Sequence, residues 1–353
     1  MTIHIPPDEL ANYCARVFER VGSSTEEARA VAASLVDSNL TGHDSHGVIR
    51  VPRYVNWVKS GELVPNQTPA RVVDTPAFAV LDGRFGYGQI MAPRAVDIGV
   101  EKAESLGLGA VSLRNSGHIG RVGEWAERAA ARNLISIHFV NAAGSILVAP
   151  FGGLERRLST APFCVGLPRE GAPPLILDFA TSLVAEGKVR VASQGGKPLP
   201  PDALIGPDGA LSGDPTLLYG PLTVDNPGDH LHGAGAIRAF GEHKGSGLAL
   251  ICELLGGSLT GNGATEPERR FANGMFSLYI DPKRVDPSHL FDADMARYLQ
   301  WFSKAKPIPG QEILTPGEPE RRARAQRSAH GVPLPEEVWE SIQATARATG
   351  AAP

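Results

Sequence analysis

The chain has 353 residues, 42% of them apolar and 20% charged, with a formal net charge of −4. That composition supports a large buried core, with two subdomains expected from the length, and gives nucleic acid no basic footprint. Three cysteines (Cys14, Cys164 and Cys252) without paired spacing argue against a disulfide framework or a cysteine metal site. No apolar run approaches ~18 residues and the N-terminus carries no basic, apolar leader, so a cytoplasmic protein without a membrane span is expected.

Pro6-Pro7-Asp8 opens a first helix, whose stripe Leu10, Cys14, Val17, Phe18 and Val21 repeats at helical spacing until Gly22. Ser24-Thr25-Glu26-Glu27 matches a capping box, in which the serine hydroxyl and Glu27 serve each other's backbone amides. The helix that starts there carries Val31, Leu35 and Val36 inward and runs into Gly42. Val51, Tyr54, Val55 and Val58 mark a third helix ending at Gly61, with Pro52 tolerated in its first turn. After Pro65 strands and helices alternate: strand 77–81, a glycine turn at 82–88, helix 93–106, strand 110–113, a loop at 114–123, helix 124–131 and strand 134–140. Beyond Val140, apolar runs at 145–148, 164–167 and 175–177 stand too close together for parallel crossovers and predict antiparallel or mixed pairing. Residues 195–235, rich in Gly, Pro and Asp, read as a long surface excursion. An apolar helix follows at 248–255, a strand at 275–280, and helices at 289–302, 319–330 and 335–348. Both ends are therefore helical and the middle is sheet-rich, which divides the chain into a discontinuous helical domain (1–75 plus 286–353) and a sheet-rich one (76–285).

The densest chemistry lies in Gly42-His43-Asp44-Ser45-His46-Gly47-Val48-Ile49-Arg50, at a helix junction. On a helical turn His46 and Arg50, four residues apart, share a face. A guanidinium fork grips a carboxylate, and an imidazole one turn away donates a proton to an adjacent carbonyl, so the pair suits a small carboxylate-bearing substrate. A helix cap at Asp44 or Ser45 with a solvated polar face is the alternative.

The loop Gly117-His118-Ile119-Gly120-Arg121-Val122-Gly123, between a strand and a helix, invites a phosphate. Its Gly-x-x-Gly spacing fails the Rossmann fingerprint, as does the next strand, which ends His138-Phe139-Val140-Asn141 without an acidic residue for a ribose. A plain glycine-rich turn is the other reading. Asp178-Phe179-Ala180-Thr181-Ser182 offers a carboxylate and two hydroxyls, either to a ribose or to cap the helix leading into Glu186-Gly187-Lys188. Lys188 and Lys244 read as a histidine partner and a phosphate contact, or as surface lysines. Thr315-Pro316-Gly317-Glu318 is a tight turn whose amides can face a ligand.

Two other chemistries compete. Asp44, Ser45 and His46 are hydrolase triad residue types, but adjacent residues do not form the Ser-His-Asp chain, and there is no Gly-x-Ser-x-Gly elbow. His43, Asp44, His46 and His118 could ligate a metal in a hydrolase or lyase, although His-x-x-His is one short of the i, i+4 spacing.

Taken in order, His43-Asp44-Ser45-His46-Gly47-Val48-Ile49-Arg50, Asn115-Ser116-Gly117-His118-Ile119-Gly120, Pro150-Phe151-Gly152-Gly153, Leu177-Asp178-Phe179-Ala180-Thr181-Ser182, Lys244-Gly245-Ser246-Gly247 and Thr315-Pro316-Gly317-Glu318 resemble one family. It is the malate/L-lactate dehydrogenase family that is unrelated to the Rossmann-type lactate dehydrogenases. Ureidoglycolate dehydrogenase, sulfolactate dehydrogenase, 2,3-diketogulonate reductase and Δ1-piperideine-2-carboxylate reductase are members. The resemblance covers nearly the whole chain. It implies an α/β (α+β) fold, with a non-Rossmann nicotinamide-binding domain on a mixed, largely antiparallel sheet flanked by helical regions from both chain ends. It also implies a homodimer, NAD or NADP as cofactor, and a small 2-oxo or 2-imino acid as substrate; on the spacing above no metal is expected.

Carried over by position, His46 matches the family's proton donor, Ser45 its hydrogen-bonding neighbour, Arg50 the substrate-carboxylate contact and Thr160 a further substrate contact. His118, Ile119, Gly120, Arg121 and Val122 fall where the family holds the cofactor, as do Asp178, Phe179, Ala180, Glu186, Gly187, Lys244, Pro316, Gly317 and Glu318. Some members use the histidine matching His118 as acid/base, so both histidines stay candidates. Lys188 stands where the family has lysine or aspartate coupled to the proton donor. Lysine leans towards carbonyl reduction, with reduction of a cyclic 2-imino acid as the alternative. The chain departs from the family at 213–239, which is longer than the usual link, and at Asn141-Ala142-Ala143-Gly144, where a polar, proline-bearing version is usual.

Overall fold

Three apolar cores organise the chain, and the computed structural model describes residues 2–193, 197–221 and 232–351 of it. The first core joins the two chain ends. Strand β1 (Thr2–Ile5) leads into α1 (Pro7–Arg20), whose Leu10, Cys14, Val17 and Phe18 are buried against α2 (Thr25–Leu40) and α3 (Val51–Ser60). The Ser24 hydroxyl accepts from the Glu27 amide, a cap worth about 1 kcal/mol. The other half of the expected capping box is not made. Glu27 accepts instead from the Asn66 amide, and the Ser24 amide donates to Asn66 Oδ1, so these groups tie the helix to a distant loop.

The second core lies on a seven-stranded sheet. The elements are β2 (Ala70–Asp74), β3 (Phe78–Asp82), α4 (Gly88–Leu106), β4 (Leu108–Ser116), α5 (Val122–Ala130) and β5 (Ile135–Ala143). Then come β6 (Val148–Ala149), β7 (Phe163–Leu167), β8 (Leu175–Phe179) and α6 (Glu186–Ser193). Strand β2 has no counterpart among the expected strands; its residues are mostly exposed, so no apolar alternation marks it. Helix α4 starts a turn before the expected position and carries Pro93 inside it, where the missing amide removes one helical hydrogen bond.

The excursion expected at 195–235 is in part packed structure. Strands β9 (Leu204–Ile205) and β10 (Leu211–Ser212) and helix α7 (Thr216–Tyr219) bury Leu204, Leu218 and Tyr219 in the third core. Their apolar runs are two to four residues long, too short to show a period among the glycines and prolines. Residues 194–196 and 222–231, including part of the long 213–239 link, lie outside the described residues. Strand β11 (Ala236–Arg238) is followed by α8 (His243–Cys252), which continues as a π turn over Glu253–Leu259. The chain closes with β12 (Ala272–Ile280), α9 (Pro282–Val285), α10 (Leu290–Ser303), α11 (Glu318–His330), β13 (Val332–Pro335) and α12 (Glu336–Thr349).

The large sheet runs β2-β3-β4-β12-β5-β7-β8, antiparallel throughout except for the β3–β4 pair. This is the mixed, largely antiparallel sheet the family resemblance implies. Val111, Leu113, Val140, Cys164 and Met275 face α4 and α5, while the next-door Phe139, Phe163 and Phe276 stack on the opposite face. A smaller sheet, β10-β9-β11-β6, belongs to the third core, and β1 pairs with β13 to clasp the chain ends. No helix among the described residues is long and apolar enough to cross a membrane.

Candidate active site

The segment between α2 and α3 is built around one buried side chain. At the end of α2, Asn39 Oδ1 accepts from the Val48 amide (2.8 Å) and its Nδ2 donates to Asp44 Oδ1 (2.6 Å). A Cβ on Gly47 would meet Asn39 Oδ1 at 2.1 Å, so only glycine lets the chain pass this close. The expected single helical turn is therefore replaced. Asp44–His46 and Val48–Arg50 are two 3₁₀ turns on either side of an extended Gly47, and His46 and Arg50 do not share a helical face. They meet in one cavity nonetheless.

His46 Nδ1 lies 3.2 Å from His118 Nε2, with the two rings nearly parallel. His118 Nδ1 is 2.6 Å from Tyr54 Oη, on α3, and Gln89 Nε2, in the first turn of α4, donates to Tyr54 Oη over 2.9 Å. Helix α4 can come this near because Gly88 lies against the His118 loop: a Cβ there would sit 2.3 Å from the His118 carbonyl oxygen. Burial, reinforced by the Arg50 charge, pushes His46 down to about 3. The same two causes, with His46 added, put His118 well below the ordinary imidazole range. Both rings are neutral at pH 7.

Arg50 Nε donates to the Ser45 carbonyl (2.6 Å), and its Nη2 stands 4.0 Å from Glu186 Oε2. Glu186 Oε1 also accepts from Tyr219 Oη (2.7 Å). Arg53 lies over the Trp57 ring at 5.0 Å and, among the described residues, makes no hydrogen bond or ion pair. Burial and the neighbouring Arg50 charge lower its pKa, as expected for a guanidinium awaiting an anion. Of these groups, Ser45, His46, Arg50, Arg53, His118 and Glu186 line a cavity of about 1460 Å³.

The malate/L-lactate dehydrogenase family model matches residues 5–343. The chain belongs to the malate/L-lactate dehydrogenase family. It is 38% identical over 347 residues to hydroxycarboxylate dehydrogenase B of Escherichia coli, across 97% of this chain and 93% of that one. Delta(1)-pyrroline-2-carboxylate reductase of Ancylobacter novellus is 30% identical over 94% of each chain. Among solved structures, malate dehydrogenase of Pyrococcus horikoshii matches with a TM-score of 0.85 at 28% identity, covering 99% of this chain and 96% of that chain.

Of the positions carried over from the family, Ser45, His46, Arg50, His118, Ile119, Gly120, Val122, Thr160, Asp178, Phe179, Ala180, Glu186, Gly187 and Lys188 all line this cavity. Asp178 Oδ2 accepts from the Gly123 amide (2.6 Å), so its carboxyl also serves the first turn of α5. Lys188 is exposed on α6, and the partner of His46 is His118. The family position Arg121 does not reach the cavity. Its guanidinium is 1% exposed and engages Glu127 (2.9 and 3.0 Å) and Asp37 (3.3 Å). Lys244, exposed at the start of α8, and the turn Pro316-Gly317-Glu318 also lie outside the lining. In that turn the Pro316 carbonyl accepts from the Ile176 amide, and Glu318 accepts from the Thr315 amide.

His43 bonds Glu320 across to α11 (3.2 Å) rather than joining His46 and His118. Among the described residues no three His, Cys, Asp or Glu side chains group to hold a metal ion. Three residues of the site, Arg53, Tyr54 and Gln89, went unread in the sequence. Tyr54 sits on the apolar stripe of α3 and Gln89 follows a glycine turn. The one cue available was that a buried tyrosine hydroxyl needs a partner.

Proposed function

We propose that this protein is an NAD(P)-dependent oxidoreductase that interconverts a small 2-oxo acid and its 2-hydroxy acid. The observation that supports it most is a pair of neutral imidazoles beside two guanidiniums in one cavity. At about 1460 Å³ that cavity exceeds the roughly 300–1,000 Å³ typical of a site for one drug-sized ligand, leaving room for a dinucleotide beside a small acid. Asp178 offers a carboxyl for ribose hydroxyls, and Val140, Ala142, Pro162 and Phe179 offer an apolar wall for a flat ring. These residues fit a nicotinamide dinucleotide, which when bound supplies or takes the hydride at C2 of the substrate.

In this reading Arg53, with Arg50 beside it, holds the substrate carboxylate, and Thr160 gives a further polar contact. Ser45 positions Arg50 through its carbonyl. His46 gives its N–H proton to the C2 oxygen, and His118 orients it. The helical part of the chain (1–75 plus 286–353) carries the proton donor and the anion clamp, and the sheet-rich part (76–285) carries the cofactor. A homodimer is part of the proposal. Helix α10 buries none of its residues, and its Leu290, Tyr298, Trp301 and Phe302 are exposed, an apolar surface suited to a second copy.

Oxidation of NADH and of NADPH, each with a panel of 2-oxo acids and cyclic 2-imino acids, tests the function. Turnover of a 2-oxo acid is expected. Turnover of cyclic imines alone would replace this reading with the imine reductase. No turnover, with no shift in melting temperature from either cofactor, would overturn it.

A further inference from the structure

We propose that Gln89, Tyr54, His118 and His46 form a directed proton relay in which Tyr54, a residue that does not reach the substrate, supplies the proton that His46 delivers. This deepens the dehydrogenase reading and rests on it.

The direction follows from counting donors and acceptors along the chain. The Gln89 amide N–H donates to Tyr54 Oη (2.9 Å). Having accepted there, the hydroxyl turns its own hydrogen to His118 Nδ1, 2.6 Å away, in preference to the His118 carbonyl at 3.5 Å. The reversed amide would leave both Gln89 N–H groups unpaired in a residue only 4% exposed, whereas the present orientation pairs one N–H and leaves the other and the carbonyl oxygen without a partner among the described residues. A neutral His118 that accepts at Nδ1 carries its proton on Nε2, which faces His46 Nδ1 at 3.2 Å. A neutral His46 that accepts at Nδ1 carries its own proton on Nε2. Four side chains thus fix one tautomer for each ring, and the free N–H at the end of the chain belongs to His46.

The same order balances the transfer. As the C2 carbonyl is reduced, its oxygen takes the Nε2 proton of His46. His46 Nδ1 takes the Nε2 proton of His118, and His118 Nδ1 takes the hydroxyl proton of Tyr54. Neither imidazole becomes an anion. The negative charge passes to Tyr54 Oη; burial opposes it there, pushing the hydroxyl up to about 12, and the Gln89 N–H and the Arg50 and Arg53 charges offset part of that cost. Water entering the cavity returns a proton along the reverse path once product has left. Hydroxy-acid oxidation runs the same steps in reverse, starting from the state in which Tyr54 is ionised and both rings carry their proton on Nδ1.

Two measurements test this. In the cofactor-free protein, ¹⁵N spectra of labelled histidine, assigned with His46→Gln and His118→Gln, should show both rings protonated at Nε2 and bare at Nδ1. A His118 ring protonated at Nδ1 would overturn the proposal even if the variants below failed to fold. In Tyr54→Phe, kcat for 2-oxo acid reduction should fall roughly 10²-fold with KM unchanged, the scale of one acid–base group. The proton inventory in mixed light and heavy water should change from curved in the wild type to linear. Gln89→Met should lower kcat less, because the hydroxyl can still donate. Unchanged kcat in Tyr54→Phe, or a linear inventory in the wild type, would contradict the relay. If the wild type reduces no substrate at all, it is the dehydrogenase reading that fails, and the ¹⁵N pattern still decides the hydrogen-bond order.

Discussion

The Arg53 guanidinium, partly buried beside the like charge of Arg50 and, among the described residues, in no ion pair although Glu186 stands near, is the residue whose environment most clearly calls for a ligand. Arg50 is already engaged by the Ser45 carbonyl and stands near Glu186, so its fork is only partly available. Arg53→Met should therefore raise KM for the 2-oxo acid about tenfold or more, the scale of one charged hydrogen bond, and steady-state kinetics checks it. An unchanged KM would return Arg53 to a simple stacking role on Trp57. At this scale the sequence was partly readable. His46 and Arg50 stood out because two unlike polar groups four residues apart invite a chemical explanation. Arg53 did not, because an arginine on a helix is usually solvated. Gln89 did not, because its partner Tyr54 is 35 residues away in the chain.

At the scale of elements, the turn into α5 serves two purposes. The glycine-bearing loop reads as a phosphate site in sequence, and His118, Ile119, Gly120 and Val122 do line the cavity. Arg121, in the middle of that run, turns the other way and clamps α5 to α2 through Glu127 and Asp37, which Arg324 of α11 also engages. Removing one partner of a fully buried ion pair costs roughly 3–5 kcal/mol; here Arg121 is buried but Asp37 and Glu127 are partly exposed and keep Arg324, so the cost is smaller. Arg121→Met should accordingly lower the melting temperature while leaving cofactor affinity in the folded protein unchanged. A variant of normal stability with weakened cofactor binding would place Arg121 at the cofactor instead. Spacing alone could not make this distinction, since direction out of a loop depends on backbone turns that glycines leave open. The long strands and the amphipathic helices were readable from periodicity, whereas β2, β9 and β10 were not, being exposed or only two residues long.

For the molecule as a whole, three buried histidines set the response to acid. Burial holds His46 and His138 down to about 3, and His118 well below its ordinary value of 6.5. From these three rings the unfolded chain binds more protons than the native one as the pH falls below about 6.5 towards 3, an effect that Glu124, whose carboxyl burial raises to about 7, opposes in part. Stability should decline through that window, and exchanging His138, away from the cavity, for Gln should flatten the curve while keeping bonds to Ser136 and Ser277. Thermal unfolding at a series of pH values measures it; a curve of unchanged slope would contradict it. The exposed apolar face of α10 carries a second expectation at this scale: sedimentation should give a dimer, and Trp301→Glu should shift it towards monomer.

The central claim, that His46 delivers the proton in a nicotinamide-dependent reduction of a 2-oxo acid, is tested most directly by His46→Ala assayed beside the wild type. Reduced-cofactor binding is followed by fluorescence and turnover by loss of nicotinamide absorbance. The account predicts that cofactor binding persists while kcat falls roughly 10²–10⁴-fold. Full activity in His46→Ala, with activity lost instead in His118→Ala, would contradict it and give the proton donor's role to His118.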